Sequence, residues 1–350
     1  MTANTPDEPA SAAAAPLKPA PLLSVVLSFY NEQAVLPALI GRLRTVLRSE
    51  RDKGVIHDYE LIFVNDNSTD ASLDVLMHEF RTGHDLVIVN MSNNFGVSEC
   101  VLAGMSYAKG DAVIYMDADL QDPPELIPEL VARWRNDPEV EVVYTTRLSR
   151  AGEHPLKLFV TKWGYRFINA VSDIDIPVDS GDFKLLSRRV VNELIRLREK
   201  NPFVRGLVSW IGFKQAQVFY HREERGDGRD STKMPVFSRK VINYWLDSAL
   251  ISFSDAPLKA MLFLGFVISL ASLGYIFVVL FQKIMGWYEP GWPALMAAIL
   301  LLGGMQLFVL GVLGLYINTI FINTRGRPNY IVKDVTAPDA RSHRHDGSGN

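Results

Sequence analysis

Cysteine, histidine and net charge are all scarce in this chain of 350 residues. The single cysteine, Cys100, excludes an internal disulfide, and one cysteine with seven histidines gives no support for a zinc site. A formal net charge of −3 provides no general attraction to nucleic acid, so we expect no nucleic-acid partner. The chain lacks a G-x-G-x-x-G after its first predicted strand and lacks a P-loop, which argues against a Rossmann dehydrogenase and a P-loop nucleotidase.

Charged residues are absent from two long stretches. Residues 260–282 and 290–324 contain no Asp, Glu, Lys, Arg or His, and each exceeds the roughly 20 apolar residues that cross a bilayer as a helix. Buried core helices are the alternative, although globular helices rarely extend so far without a charge. Lys and Arg flank the outer ends of the pair, which places both ends in the cytoplasm. We therefore predict two transmembrane helices over 258–324, as a multi-pass anchor in a cytoplasmic membrane with both outer ends in the cytoplasm.

The segments around this anchor have their own patterns. Residues 1–21 are rich in Ala and Pro and lack a leucine-rich core, which predicts a disordered tail rather than a signal peptide. Residues 325–350 are predicted to form a cytoplasmic C-terminal tail. Val241–Phe253 is apolar and aromatic, so residues 238–257 are predicted as a juxtamembrane interfacial helix. Phe159–Val171 is a second interfacial candidate, with core packing as the alternative.

Residues 22–237 alternate between short apolar runs and helical patterns. Such alternation predicts an α/β domain with a mostly parallel sheet, whose ligands bind at the carboxyl ends of the strands. Helices are predicted between these runs, for example over 32–51 and 97–108. The predicted strands are Leu22–Leu27, Tyr59–Asn65, Leu86–Asn90, Ala112–Met116 and Val140–Thr145.

An acidic segment directly follows the fourth of these strands. Asp117 and Asp119 are two residues apart, where extended backbone gives way to a loop, and Gln121 follows. Carboxylate oxygens at this spacing can bind one hard divalent cation, Mg²⁺ or Mn²⁺, which completes its shell with water and phosphate oxygens. Such an ion would neutralise a diphosphate leaving group. A solvated acidic loop is the alternative interpretation.

These motifs, taken in order, resemble the family 2 glycosyltransferases of the GT-A fold. The whole chain resembles the bacterial polyprenyl-phosphate sugar transferases, such as the undecaprenyl-phosphate glucosyltransferases and dolichol-phosphate mannosyltransferase-like enzymes, with two C-terminal spans. Further matches reach Arg205-Gly206, Tyr220-His221-Arg222 and Arg327-Pro328. The main matching segments are Val25–Glu32 (VVLSFYNE), Val64–Asp70 (VNDNSTD), Asn94-Phe95-Gly96, Gly110–Glu125 (GDAVIYMDADLQDPPE) and Gly181-Asp182-Phe183.

The resemblance implies a role for each matching residue. The nucleoside would be held by Tyr30, Glu32 and Asp66. Asp66 has an alternative as a cap of the next helix, a role that Asp70 fits better, and Glu32 has an alternative as a first-turn acid. The metal and the diphosphate would be served by Asp117, Asp119 and Gln121.

The resemblance also implies roles around the reacting groups. Asp182 stands where the family has an acidic residue proposed as base, and Arg147 would approach the donor phosphates or the acceptor. Arg222, Arg225 and Lys233 would gather the two phosphate groups, because arginine forks suit phosphate oxygens. A solvated charged loop is the alternative for this last segment, in which acidic residues are interspersed.

The chain departs from the family pattern at a few positions. Ser28-Phe29 replaces the usual Pro-Val before Tyr30, and Asn67 replaces a glycine, a mild change because asparagine tolerates a left-handed turn. Glu99 follows Val97-Ser98 where the family tends to have a basic residue, which leaves the donor sugar open. None of these departures removes a proposed metal ligand.

The resemblance implies an inverting, metal-dependent transfer of a sugar from a nucleotide-sugar, with UDP-hexose expected, to undecaprenyl phosphate at the cytoplasmic face. The product would be a lipid-linked sugar for cell-envelope glycans. A homo-oligomer and a flippase partner are further expectations. One alternative is a catalytically idle membrane scaffold or regulatory subunit that retains a nucleotide site. Another is a processive polysaccharide synthase, against which stand the small number of spans and the absence of Gln-x-x-Arg-Trp.

Overall fold

The structure is a computed structural model that describes residues 17–83, 85–147, 180–197, 199–200, 202–221, 256–287 and 291–338. The predicted helices Phe159–Val171 and Val241–Phe253 lie outside these residues. The strands are β1 (Leu22–Phe29), β2 (Asp58–Asn65), β3 (Leu86–Met91), β4 (Ala112–Asp117), β5 (Val142–Arg147), β6 (Ser180–Ser187), β7 (Gln215–Tyr220) and β8 (Val332–Thr336). The helices are α1 (Leu36–Asp52), α2 (Ser72–Thr82), α3 (Val97–Tyr107), α4 (Ile127–Asn136), α5 (Arg188–Arg196), α6 (Val204–Trp210), α7 (Ala256–Ile284) and α8 (Trp292–Thr324).

All eight of these strands belong to one sheet, in the order β7-β5-β6-β4-β1-β2-β3-β8. The neighbours β4-β1-β2-β3 are parallel throughout, and β5 is parallel to β7. The strand β6 runs antiparallel to both β4 and β5, and β8 runs antiparallel to β3. The predicted α/β class with a mostly parallel sheet is therefore confirmed, and the carboxyl ends of β1, β2 and β4 lie together at one edge.

Helices cover both faces of the sheet, which explains why its strands are continuous apolar runs. On β1, Leu23, Val25 and Leu27 point into one core with residues of α1, α2 and α4. Val26 points to the opposite face, where α3, α5 and α6 supply the core. Burial on both sides fixes the register, since a slip of one residue would exchange the two cores.

The helix α3 lies closest to the sheet at Gly104. A β-carbon there would stand 2.3 Å from Val26 Cγ1 and 2.9 Å from Val64 Cγ2. Because these valines are themselves buried in β1 and β2, the helix would have to move away. Glycine at this position thus sets the distance between α3 and the sheet.

We expect Gly104→Ala to lower the free energy of unfolding by about 1–3 kcal/mol, because overpacking displaces α3. The control is Gly41→Ala in α1, where nothing lies within 4 Å of the added β-carbon. That change should raise stability by about 0.5–1 kcal/mol through helix propensity. Thermal unfolding of both purified variants measures the difference, and equal midpoints would contradict the close packing.

The segment after α8 contains a strand that joins the sheet. Within residues 325–350, β8 adds an antiparallel edge strand to β3, and Ser92 N–H donates to Ile331 O at 2.9 Å. The hydroxyls of Tyr330 and Ser106 are 3.0 Å apart. A short polar strand at a sheet edge lacks the apolar run that predicts a strand, so the sequence pattern missed it.

The end of the predicted N-terminal tail also contacts the domain. Lys18 N–H donates to Arg135 O at 3.1 Å, and its ammonium lies 4.5 Å from the centre of the Trp134 ring. His57 N–H donates to Pro21 O at 2.8 Å. Residues 17–21 are therefore held against α4 and the loop before β2, whereas residues 1–16 lie outside the described part of the chain.

The two uncharged stretches form the long helices α7 and α8. Within the described residues, one segment is long and apolar enough to cross a membrane, Leu301–Thr324 in α8, with a mean hydropathy of 1.9 and no part of its apolar window buried. At 1.5 Å per residue, these 24 residues span roughly 36 Å, more than the ~30 Å hydrocarbon layer. One of the two predicted spans thus has a structural counterpart, and the two-helix hairpin stays a prediction.

Candidate active site

Three left-handed residues shape the loops at the carboxyl edge of the sheet. Asn31, Asn67 and Leu120 have φ of 59°, 58° and 59°, and they follow β1, β2 and β4. Asparagine adopts this conformation at little cost, as expected for Asn67. Leucine does so rarely, so the backbone is strained at the centre of the acidic segment.

The loops after β1 and β2 bind each other through side chains. Asn31 Oδ1 accepts from Thr69 N–H at 2.8 Å, and Asn31 N–H donates to Ser68 Oγ at 3.1 Å. Glu32 N–H donates to Ser72 Oγ at 2.9 Å. These bonds join two loops that are 37–40 residues apart in the chain. They form one wall of a site beside the acidic segment.

Tyr30 and Glu32 stand on this wall. The Tyr30 side chain is 46% exposed at the end of β1, so its ring is accessible to a ligand. Glu32 precedes α1, which begins at Leu36 and has no acidic residue in its first turn. The alternative that Glu32 is a first-turn acid is therefore wrong, and contact with a nucleoside stays a prediction for both residues.

Asp66 is buried and organises the start of α3. Its Oδ1 accepts from Phe95 N–H at 2.7 Å and its Oδ2 from Gly96 N–H at 3.0 Å. The alternative role at the start of α2 belongs instead to Asp70, whose Oδ1 accepts from Ser72 N–H at 3.0 Å. Because Asp66 binds the backbone of the Asn94-Phe95-Gly96 motif, it holds that motif beside the loop after β2.

Asp117 ends β4 among other carboxylates. Burial, followed by the charges of Asp182, Asp119 and Asp122, raises the pKa of Asp117 to about 7, against the opposing effect of Arg205. Negative charge is therefore in excess at this point of the sheet edge. A divalent cation would relieve it, since carboxylate oxygens are the preferred ligands of Mg²⁺ and Mn²⁺.

The donor set fits a cation that keeps most of its own ligands. In the described part of the chain, no group of three or more His, Cys, Asp and Glu side chains is arranged as a metal cage. Asp117 and Asp119 provide a pair, and Asp119 Oδ1 accepts from Gln121 N–H at 3.1 Å. Such a pair suits Mg²⁺ or Mn²⁺ bound together with phosphate oxygens and water.

Asp182 in β6 forms a two-pronged ion pair with Arg205 in α6. Arg205 Nε donates to Asp182 Oδ1 at 2.5 Å, and a second guanidinium nitrogen donates to Oδ2. Burial alone would raise the pKa of Asp182, but Arg205, followed by Lys184, holds it below the ordinary value. The carboxylate is therefore ionised and weakly basic, and it fixes the direction of the Arg205 guanidinium.

Lys184 is a charged residue that the motif analysis missed. It stands opposite Tyr115 in the β4–β6 pairing and is 1% exposed. Burial, and then the neighbouring Arg205, lowers the pKa of Lys184 to about 8. The Tyr115 hydroxyl beside it is buried and has no hydrogen-bond partner among the residues that the structure describes. A lysine inside an apolar strand carries no sequence signal of its own, so only the pairing with β4 reveals it.

Arg147 ends β5, the strand next to β6, which contains Asp182 and Lys184. Its Nε donates to Tyr220 Oη at 3.2 Å, and the Tyr220 hydroxyl donates to Asp122 Oδ1 at 2.5 Å. Burial, followed by the charge of Asp122, raises the pKa of Tyr220 to about 12. These hydrogen bonds tie Arg147 to the acidic segment, and its role near the donor phosphates or the acceptor stays a prediction. The predicted phosphate ligands Arg222, Arg225 and Lys233 lie outside the described residues.

Glu99 lies in the first turn of α3, close to Asp66. Burial, followed by the charge of Asp66, raises the pKa of Glu99 to about 7 from an ordinary value of 4.5. An acid whose pKa is higher in the folded than in the unfolded state loses stability as the pH rises between those values. The ionised Glu99 therefore destabilises the fold above about pH 7, and protonation removes this cost.

We expect Glu99→Gln to raise the free energy of unfolding by about 1–2 kcal/mol at pH 8, because it removes a partly buried charge. The gain should shrink as the pH falls towards 4.5. Thermal unfolding at several pH values measures it, with the exposed Glu129→Gln in α4 as the control. A gain that does not depend on pH would show that Glu99 is not the titrating group.

The chain has relatives along most of its length. The family described as glycosyl transferase family 2 matches residues 24–195. An uncharacterized glycosyltransferase of Bacillus subtilis (strain 168) is 42% identical over 311 residues, which cover 89% of this chain and 93% of that protein. A prophage bactoprenol glucosyl transferase homolog of Escherichia coli (strain K12) is 35% identical over 317 residues, covering 89% of this chain and 99% of that protein.

Solved structures also align with part of the chain. A mannosyltransferase from Pyrobaculum calidifontis, in complex with GDP-Man and Mn²⁺, aligns with a TM-score of 0.44 and 18% identity, covering 62% of this chain and 61% of that one. Glucosyl-3-phosphoglycerate synthase from Mycobacterium tuberculosis, in complex with Mn²⁺, UDP and phosphoglyceric acid, aligns with a TM-score of 0.43 and 21% identity. The alignment covers 64% of this chain and 77% of that one.

Proposed function

The chain belongs to glycosyl transferase family 2, and from this premise we propose that it transfers a hexose from a nucleotide-sugar, expected to be UDP-linked, to undecaprenyl phosphate. We infer the acceptor from the similarity, over 89% of the chain, to proteins named as bactoprenol glucosyl transferases or their homologs. The membrane anchor agrees with such an acceptor, since a polyprenol cannot leave the bilayer. Transfer would take place at the cytoplasmic face.

The donor would bind along the carboxyl edge of the sheet. Tyr30 offers an exposed ring for the base, and Glu32 and Asp66 border the same loops. Asp117 and Asp119, with Gln121, would hold Mg²⁺ or Mn²⁺ together with the diphosphate. A bound cation would neutralise the negative charge on the leaving diphosphate.

The chain's own cations would organise the phosphates. Arg147 is directed by Tyr220 and Arg205 is directed by Asp182, so that both guanidinium groups are fixed before a ligand arrives. Fixed donors stabilise developing charge without reorganisation. Arg222, Arg225 and Lys233 are proposed to complete this set. A phosphate monoester is largely ionised near neutral pH, so Asp182 is proposed to position Arg205 rather than to remove a proton.

The anchor is proposed to comprise both α7 and α8, with the short loop between them outside the cell and both outer ends in the cytoplasm. A homo-oligomer and a flippase partner remain part of the proposal. Of the two alternatives, the idle scaffold gives no reason for the crowded carboxylates at Asp117. The processive synthase would need a conduit, for which two helices are too few.

We expect Asp119→Asn to reduce sugar transfer at least about 100-fold, because it removes a metal ligand beside the leaving diphosphate. The measurement incubates the purified chain with radiolabelled nucleotide-sugars and undecaprenyl phosphate, and counts label in extracted lipid. A chelator should abolish transfer, and added Mg²⁺ or Mn²⁺ should restore it. The control is Asp137→Asn, a surface acid that binds Lys214. Full activity of Asp119→Asn, or turnover that the chelator leaves unchanged, would refute the metal assignment.

Asp182→Asn, Arg205→Gln and the double variant test the ion pair. If Asp182 acts through Arg205, the double variant should lose no more kcat/KM than the worse single variant, because the pair acts as one unit. If Asp182 is itself a base, the losses should multiply. Thermal unfolding of the three proteins separates loss of fold from loss of chemistry.

A further inference from the structure

A pocket lies where the end of α8 meets the α/β domain. Its volume is about 210 Å³, and we call it the junction pocket. Since a water takes about 30 Å³, the pocket has room for a phosphate group and its first carbons. The residues that matter in its lining are Glu99, Lys200, Ile322, Arg325, Arg327 and Asn329.

Positive charge prevails in the junction pocket. Lys200, Arg325 and Arg327 face one acid, Glu99. Among the residues that the structure describes, none of the three cations forms a salt bridge with a carboxylate. Unpaired cations around a polar cavity favour an anion, and guanidinium groups favour phosphate oxygens in particular.

Hydrogen bonds between the helix end and the domain hold these groups in place. Lys200 N–H donates to Asn323 Oδ1 at 3.2 Å, and Asn329 Nδ2 donates to Glu199 O at 2.5 Å. The Arg325 guanidinium lies 4.2 Å from the centre of the Phe321 ring. The pocket is therefore built by three parts of the chain, around Glu99, around Lys200 and at the end of α8, each more than 100 residues from the next.

The position of the junction pocket indicates which kind of molecule would carry the phosphate group. The apolar segment Leu301–Thr324 ends immediately before Arg325, so the pocket stands at the level of lipid headgroups. Ile322 lines the pocket, and the apolar side chains of α8 are exposed beside it, which suits an acyl or prenyl chain. Inorganic phosphate has no apolar part that could contact these side chains of α8.

We propose that the junction pocket binds the phosphate group of a membrane lipid, with Lys200, Arg325 and Arg327 on the phosphate oxygens and the lipid chain along α8. The inference goes beyond the proposed function, because it does not require sugar transfer. Glu99 limits the affinity by placing a like charge in the same cavity. Neutralising Glu99 should therefore raise the affinity for the lipid phosphate, and neutralising one of the cations should lower it.

The test uses the full chain, purified and stripped of lipid, with native mass spectrometry as the readout. The probes are short-chain phosphatidic acid, the matched diacylglycerol without phosphate, and inorganic phosphate. Phosphatidic acid should bind at least about tenfold more tightly than either of the others, since only it offers both charge and chain. Equal binding of the diacylglycerol would overturn the proposal, and equal binding of inorganic phosphate would overturn its assignment to a lipid.

Three variants locate the binding. Arg327→Gln should weaken phosphatidic acid binding about tenfold, and Glu99→Gln should strengthen it about threefold or more, because they change the charge of the cavity in opposite directions. The control is Lys333→Gln, an exposed lysine on β8 outside the lining, which should change the affinity less than about twofold. If Lys333→Gln weakens binding as much as Arg327→Gln, or if Glu99→Gln weakens it, the pocket is not the site. Thermal midpoints verify folding, and Glu99→Gln decides alone if Arg327→Gln does not fold.

Discussion

Crowding of carboxylates around Asp117 is the constraint on which the rest of the site depends. Burial and neighbouring charges make the ionised form of Asp117 costly, and Arg205 offsets only part of that cost. The excess can be relieved by a proton or by a metal ion, and near neutral pH a divalent ion brings more charge. The same electrostatic demand explains why the surrounding cations, Lys184 and Arg205, are held in fixed places rather than on mobile loops.

The scaffold meets this demand by combining a rigid sheet with strained loops. The parallel strands β4-β1-β2-β3, buried on both faces, bring the starts of four loops to one edge. Side chains such as Asn31 and Asp66 then bind the backbone of neighbouring loops. Each loop is thus fixed by another loop, so the ligand groups are placed by bonds from distant parts of the sequence.

The long apolar helix α8 is joined to the α/β domain through the sheet itself. The chain leaves α8 and within a few residues enters β8, which pairs with β3 in the same sheet as the acidic segment. The glycosyltransferase domain is in this way attached to α8 through its own sheet. The end of the apolar segment Leu301–Thr324 is thereby held close to the sheet.

The sequence by itself determined the α/β class, the parallel strands, the apolar helix and the candidate metal pair, because apolar periodicity and polar residues after strands are local signals. Its motifs also marked Asp182 and Arg147. Only the tertiary structure decided that Asp182 pairs with Arg205, that Lys184 is buried beneath them, and that the chain after α8 returns as β8. These facts depend on contacts between segments far apart in the chain, and such contacts leave no period in the sequence.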